Sequence, residues 1–397
     1  MNSLEPISAE PLRADRERRW TDMLPALCDV SVTNVCNAAC DFCGFSRDKN
    51  LVGPRRYLSL SGFTRALPVL RRRNIRYLTF QGGEPLVHPH IELLVAEAAN
   101  AGMICGVITN GWFLSRYIEG LVEAGLRRLT ISIDSDDMQM HEANRGLPGL
   151  EGRIARSIQQ AHALSIPVWA SVTVNKLVDY EALPATLARL GFDAVCFSYP
   201  RRERFGSSSL VYDESSSLID MGEDELVAAF EAIDRMRTSF PVLNPGASIA
   251  EVKRFVRGEE QRVPCVAGRK YFYLDWNLQI WRCEAWRAPL GSVFALDDIP
   301  DQNDVCNACM MACYRNASLM LHGPLAVVDA AQSAIRGKLR SAIDTLGRRG
   351  VAYSLWSLAA AELPRAALSS LSRAPAPRPP TEQAGDGQRG DHGLERS

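Results

Sequence analysis

Short apolar runs alternate with longer amphipathic stretches along the first half of this chain. Six runs read as strands: Cys28–Val32, Tyr77–Gln81, Cys105–Thr109, Arg128–Asp134, Val168–Val174 and Ala194–Ser198. Between them, apolar positions recur at helical spacing over Ile91–Asn100, Leu114–Ala124, Ile154–Leu164 and Ala182–Leu190. This alternation is the mark of a parallel βα architecture. Six units predict an α/β fold of the partial (β/α)6 TIM barrel kind, in which reacting side chains collect just beyond the carboxyl ends of the strands.

Composition bounds that picture. With 397 residues and 46% hydrophobic content the chain can bury a full core. Length alone suggests two or three domains, although a barrel of about 200 to 250 residues counts as one. A net charge of −1 gives no case for nucleic-acid binding. The first twenty residues are polar and charged, ending Arg-Glu-Arg-Arg-Trp, without the apolar stretch of a signal peptide. No apolar run reaches bilayer length. A cytoplasmic location is therefore expected, with the cysteines serving as metal ligands rather than disulfides.

The cysteines then change the reading. Cys36, Cys40 and Cys43 stand in the run Cys-Asn-Ala-Ala-Cys-Asp-Phe-Cys. Cysteine is 11 of 397 residues, so this triple would arise by chance about 0.01 times in such a chain. Three thiolates so spaced suit three corners of a cubic 4Fe-4S cluster and leave the fourth iron without a protein ligand. A four-cysteine cluster only passes electrons, whereas an open iron can also bind and reduce a ligand. Zinc is the competing occupant, but it prefers four closed ligands and no obvious fourth lies nearby.

Other residues are expected at the same mouth. In Gly82-Gly83-Glu84-Pro85 the glycines remove side chains where a ligand must approach the backbone, and Glu84 supplies an anion for an ammonium group. The plainer alternative is a tight strand-to-helix turn that carries a carboxylate, and its place one βα unit after the cysteines argues against that. Asn110, Ser132, Asp134, Arg145, Thr173 and Asn175 lie at or beyond later strand ends. Arg145 has the alternative of bridging helices, and Asn175 of capping the next one. His88 and His90 read as structural. Cys28, Cys105 and Cys196 sit singly in apolar strands and read as small core residues.

A second cysteine group follows. Cys265, Cys283, Cys306, Cys309 and Cys313 fall within about fifty residues, the last three as Cys-x2-Cys-x3-Cys. Five thiols suffice for one fully ligated cluster but not two, and a four-cysteine zinc site fits equally well.

Taken together, these segments resemble the radical S-adenosylmethionine (SAM) superfamily over roughly residues 25 to 315. The likeness rests on the Cys-x3-Cys-x2-Cys spacing with Phe42 before the last cysteine, on Phe80 to Pro85, and on Thr109-Asn110-Gly111. It also rests on Ser132-Ile133-Asp134 followed by His141, Asn144, Arg145 and Gly146. The resemblance implies a cluster on Cys36, Cys40 and Cys43 that chelates SAM. It implies SAM contacts at Gly82, Gly83, Glu84, Asn110, Ser132, Asp134, Arg145, Thr173 and Asn175. It further implies reductive cleavage to a 5′-deoxyadenosyl radical, fed by a low-potential donor such as flavodoxin or ferredoxin. The C-terminal cysteines are similar to the SPASM or twitch extension, which implies one auxiliary 4Fe-4S cluster on four of the five. Residues 265–283 read as a hairpin between two cysteines, with Asn277 where the family usually has glycine, in a left-handed turn that Asn tolerates.

The expected layout is an N-terminal extension (1–24), a barrel (25–240), a small auxiliary-cluster region (241–322), a helical tail (323–373) and a disordered end (374–397). Residues 200–222, with Ser207 to Ser209 and Ser215 to Ser217, read as a loop over the barrel mouth and a substrate lid. Tyr199-Pro200-Arg201-Arg202-Glu203 and the cysteine ending locally resemble the adenosyl hopene synthase group, which implies a lipid or isoprenoid substrate. Apolar residues Val328, Ala331, Ile335, Leu339, Ala342 and Leu346 recur at helical spacing. Seven basic residues from Arg336 to Arg373 oppose only Asp344 and Glu362, which suits peripheral contact with a membrane surface at the inner face. Packing of that helix on the barrel is the alternative.

The expected function is hydrogen abstraction from, or adenosyl addition to, a small-molecule or lipid substrate. A SPASM-type peptide maturase is the first alternative; such enzymes often carry a leader-recognition module, and about twenty-five residues precede the first strand here. A non-catalytic iron-sulfur or zinc protein is the second. A cobalamin-dependent methyl transfer has no cobalamin domain ahead of the barrel to support it.

Overall fold

A computed structural model of the chain describes residues 20–49, 53–201, 215–303 and 306–360. The sheet is built by repeated strand-helix units: β1 (Ala26–Ser31), α1 (Leu60–Arg72), β2 (Ile75–Gln81), α2 (Ile91–Asn100), β3 (Ile104–Thr109), α3 (Leu114–Glu123) and β4 (Leu126–Ile133). Helices α4 (Met138–Arg145) and α5 (Leu150–Ala163) then lead to β5 (Val168–Thr173), α6 (Leu183–Leu190) and β6 (Ala194–Ser198). After α7 (Glu223–Met236) and α8 (Gly246–Val256) come β7 (Tyr271–Leu274), β8 (Gln279–Trp281) and β9 (Gly291–Ser292). The described chain ends in α9 (Ala312–Ile335), α10 (Leu339–Leu346) and α11 (Val351–Ala359).

Strands β1 to β6 pair in parallel and in chain order, and the sheet stays open, giving the six-stranded partial barrel. Residues such as Val30, Phe80, Val107, Ile131 and Val172 are buried because helices cover the outer face while facing side chains fill the inside. Each helix puts an apolar stripe on the sheet. In α2 the buried residues are Ile91, Leu94, Val95 and Ala98, at i, i+3, i+4 and i+7. Burying each such aliphatic side chain is worth about 1.5–3 kcal/mol, which is what holds the layer in place.

The sheet does not stop at β1. Strand β7 pairs with β1 in parallel, and β8 and β9 extend that edge antiparallel. The C-terminal cysteine region is thereby attached to the first strand of the barrel. The 265–283 hairpin forms, but its left-handed residue is Leu278 (φ 61°) and not Asn277. Asp275 explains the shift: its carboxylate accepts from the Asn277 and Gln279 amides (2.8 and 2.9 Å) and from the Trp281 indole (2.9 Å). The turn is thus fastened at Asp275, and the strained position falls one residue later. The helical spacing across 328–346 is also interrupted, since Gly337 (φ 75°) separates α9 from α10. No helix among the described residues is long and apolar enough to cross a membrane. The expected end segment 374–397 and most of the expected lid, including Ser207 to Ser209, lie outside the described residues.

Candidate active site

The three N-terminal cysteines sit on a loop after β1, and backbone bonds to three neighbours fix it. The Gly83 and Glu84 amides donate to Thr33 O and Val35 O, both at 2.8 Å. The Ala39 amide donates to Arg145 O at 2.8 Å, and the Asp41 amide to Asn144 Oδ1 at 3.2 Å. Asn110 Nδ2 donates to Asn37 Oδ1 at 2.8 Å. The glycine pair has its reason here. A Cβ on Gly82 would lie 2.3 Å from Thr33 O, and one on Gly83 2.2 Å from Val35 O. The space they leave open is taken by the chain entering the cysteine loop.

Cys36, Cys40 and Cys43 line one cavity of about 140 Å³ at the carboxyl ends of the strands. Its wall also holds Gly82, Gly83, Glu84, Asn110, Ser132, Asp134, Arg145 and Thr173. Asn175 is placed elsewhere: its amide donates to Thr173 O (2.7 Å) and Asp134 O (3.0 Å), so it ties strand ends together behind the wall. Gln81 and Thr109, which stand in the motif segments without an expected contact of their own, and Ser171, which stands in none, also line the cavity. Strand register was the available signal for one of them, since Ser171 pairs with Ser132 and must share its face.

Two buried charges shape this cavity. Asp134 accepts from Arg145 Nη2 (2.6 Å) and Asn144 Nδ2 (2.9 Å). Burial works to raise its carboxyl, but Arg145 and these bonds outweigh it and hold it below the ordinary range. Burial likewise opposes the Arg145 charge, and Asp134 overcomes it, so the guanidinium stays protonated beside Cys36 and Cys40. His141 Nδ1 accepts from the Asp134 amide (3.1 Å), and burial pushes its ring down to about 3, so it is neutral. Glu84 is turned inward, accepting from Thr109 Oγ1 (2.6 Å), the Asn110 amide (2.7 Å) and the Leu86 amide (3.1 Å). Burial nevertheless raises its carboxyl. The Cys36 thiol is pushed up to about 12 and those of Cys40 and Cys43 are raised, chiefly by burial. Loading with iron must therefore expel protons.

The descending end of the 200–222 segment touches this loop. Ser216 Oγ is hydrogen-bonded to the Asp41 carboxylate, and the Lys176 amide donates to Leu218 O at 2.9 Å. His88 is structural, with Nε2 bonded to Leu58 O at 2.9 Å and Nδ1 accepting from the His90 amide at 3.1 Å.

The C-terminal cysteines gather around a separate small core. Cys265, Cys283, Cys309 and Cys313 pack on Tyr271, Met311 and Tyr314, and Cys306 joins them where its carbonyl accepts from the Cys265 amide at 3.0 Å. Burial and neighbouring thiols raise Cys283 and Cys309, while Cys313 is raised by burial and by Glu284 and Asp29. Asp29 and Glu284 lie between the two cysteine groups. Gln81 lines the first cavity and donates to Glu284 at 2.6 Å, and Tyr271 donates to Asp29 at 3.1 Å. Burial raises both carboxyls. A larger cavity of about 500 Å³ opens against Cys265, lined by Arg262, Arg269, His322, Arg348 and Arg349. Its cations are partly spoken for: Arg269 meets Asp329 at 2.7 Å and Arg349 meets Glu260. The smaller cavity is where thiols, an ion pair and strand ends converge.

The donor set of that cavity fits a cluster with one free corner. Three thiols line it, no fourth cysteine and no histidine does, and the remaining wall offers amides, hydroxyls and the Asp134–Arg145 pair. Among the described residues no three His, Cys, Asp or Glu side chains close on a point as ligands of a single ion would.

An open βα barrel with such a cavity at its carboxyl edge is an enzyme fold of the partial-barrel type. Residues 30–190 match the sequence profile of the Radical SAM superfamily. The chain is similar to a probable GTP 3′,8-cyclase of Pyrobaculum aerophilum, 29% identical over 151 residues, covering 38% of this chain and 48% of the relative. The GTP 3′,8-cyclase of Staphylococcus haemolyticus is 30% identical over 162 residues, 39% and 47% of the two chains. The chain thus spans about half the length of the curated relatives it matches. Among solved structures, Streptococcus suis SuiB bound to S-adenosylmethionine superposes with a TM-score of 0.53 at 14% identity, covering 70% of this chain and 66% of that one. That likeness concerns the fold.

Proposed function

We propose that the chain cleaves SAM reductively at a 4Fe-4S cluster held by Cys36, Cys40 and Cys43 and directs the product radical at a small-molecule or lipid substrate. The observation that carries this reading is the single cavity in which three thiols meet Gly82, Gly83, Glu84, Asn110, Ser132, Asp134, Arg145 and Thr173. Bound there, the cluster and SAM would supply an electron and a sulfonium to be broken into methionine and a 5′-deoxyadenosyl radical. The protein's part is positional. Arg145 supplies a fixed cation for a carboxylate, and Asp134 keeps it charged and aimed. Because Glu84 is already held by three donors, it serves as an anchored acceptor that needs no reorganisation when an ammonium group approaches. Ser132, Ser171 and Thr173 offer hydroxyls along the adjoining strand ends. Four of the five cysteines gathered near Tyr271 and Tyr314 would hold one auxiliary cluster, attached through β7 to the same sheet.

Anaerobic reconstitution with iron and sulfide, followed by dithionite and SAM, tests this. The expected results are about eight irons per chain and release of 5′-deoxyadenosine. If the radical adds to the substrate, labelled adenosine appears in the product instead. A purified protein that holds only zinc and releases no nucleoside would overturn the reading.

A further inference from the structure

Helices α10 and α11 carry their polarity in the reverse of the usual order. In α10 the buried residues are Ala342 and Thr345, while Leu339, Ile343 and Leu346 are 65%, 70% and 47% exposed. In α11 Val351, Ser354 and Ser357 are buried, and Ser354 Oγ donates to Leu319 O and accepts from the Gly323 amide. Trp356 faces outward, 56% exposed, while Leu355 lies against α9 and is 38% exposed. The end of α9 continues the surface with Val327 and Ile335. The barrel helices do the opposite, as α3 shows by burying Leu114, Ile118 and Leu121. Of thirteen large apolar side chains exposed among the described residues, seven fall between Val327 and Trp356. A patch this concentrated marks a docking surface.

The arrangement is built rather than frayed. A Cβ on Gly323 would lie 2.7 Å from Leu355 Cγ, so the glycine lets α11 lie directly on α9. The charges beside the patch indicate what it meets. Arg336, Lys338 and Arg340 are exposed, against Asp344 alone between residues 335 and 347. Apolar chains flanked by cations form the composition of a helix that lies in the headgroup region of an anionic bilayer.

We propose that the outer face of α9 to α11 docks on an anionic lipid surface, with Leu339, Ile343, Leu346 and Trp356 entering the interface and Arg336, Lys338 and Arg340 meeting lipid phosphates. This rests on the helices alone and stands apart from the chemistry of the cysteine cavity.

Co-sedimentation of the full chain with phosphatidylcholine vesicles, with and without phosphatidylglycerol, tests it. Binding is expected to be at least about tenfold stronger with the anionic lipid and to weaken with salt. The Leu339→Ser/Ile343→Ser/Trp356→Ser variant should lose binding at least about tenfold with an unchanged unfolding midpoint, because these side chains are exposed. Arg336→Gln/Lys338→Gln/Arg340→Gln should erase the preference for phosphatidylglycerol. Absence of vesicle binding, or equal binding by the serine variant, overturns the proposal. So does a dimer that the serine variant dissolves without any vesicle binding, which would assign the face to a second copy. Binding only after removal of residues 361–397 would assign it to that segment and overturn the proposal equally.

Discussion

The two cysteine groups are held in different ways. Cys36, Cys40 and Cys43 come from eight consecutive residues, and the loop that carries them is clamped by backbone bonds to the Gly82-Gly83 turn and the end of α4. The other five come from three separated segments and meet only because β7 pairs with β1 and α9 packs beneath. The first group faces a cavity with a fixed cation, whereas the second packs on a buried aromatic and acidic core, with only Cys265 at the edge of the larger cavity. The difference separates roles. A local, pre-formed three-thiol rim suits a site where a ligand must enter, and a dispersed, closed group suits a centre whose ligands are all protein.

The sharpest break of this comparison is between Cys40→Ala and Cys309→Ala. The first should abolish SAM cleavage, by at least about a thousandfold, and remove only part of the iron. In the second, cleavage without substrate should stay within about threefold of wild type, although iron is again lost. Equal loss of cleavage in both would erase the distinction. Iron assay and chromatography of 5′-deoxyadenosine read both outcomes.

Next in size is Asp134→Ala. It leaves the buried Arg145 guanidinium uncompensated, a loss of about 3–5 kcal/mol, and should also raise the KM for SAM. Chemical denaturation and SAM titration measure the two effects separately.

A pH scan sharpens the same corner. His141 is held neutral, its ring pushed down to about 3 by burial. Between that value and about 6.5 the unfolded chain takes up a proton that the folded chain refuses. Stability should therefore fall as the pH drops through this window, by up to about 1.4 kcal/mol per pH unit. The depressed Asp134 carboxyl acts in the same direction, since its stabilising charge is lost as pH falls through its folded value. His141→Gln should flatten the slope of the urea midpoint against pH, and an unchanged slope would remove His141 from the account.

Smallest is Asn175→Ala. Because Asn175 stands behind the wall, SAM affinity should change by less than about threefold, with a stability loss of about 1 kcal/mol. A large loss of affinity would bring it back to the cavity.

How much of this was legible beforehand follows from range. Each barrel strand was visible as an apolar run, and α2 was read at its observed limits, Ile91–Asn100, because its stripe is uninterrupted. Helix α1 was not read: Pro68 lies inside it and removes one amide from the helical ladder, and the helix is held by the Ser59 cap and by burial of Phe63, Ala66, Leu67 and Leu70. The role of the glycine pair was legible as a need for space, yet what fills that space is the chain at Thr33 and Val35. Leu278 in place of Asn277 at the strained turn position came from the Asp275 bonds, an Asx-type turn that competes with the preference of Asn for the left-handed region. The Gln81–Glu284 contact joins residues 203 apart. It depends on β7 choosing the β1 edge, and no local pattern specifies an edge.

The central claim is that the cluster corner left free by three thiols receives the amino and carboxylate groups of SAM. Electron-nuclear double resonance on the reduced, reconstituted protein with ¹⁵N-amino-labelled SAM addresses it directly. The account predicts a nitrogen coupling to the cluster that persists in Cys309→Ala and vanishes in Cys40→Ala. A reduced cluster whose spectrum shows no coupling to the labelled nitrogen in the wild-type protein would contradict it.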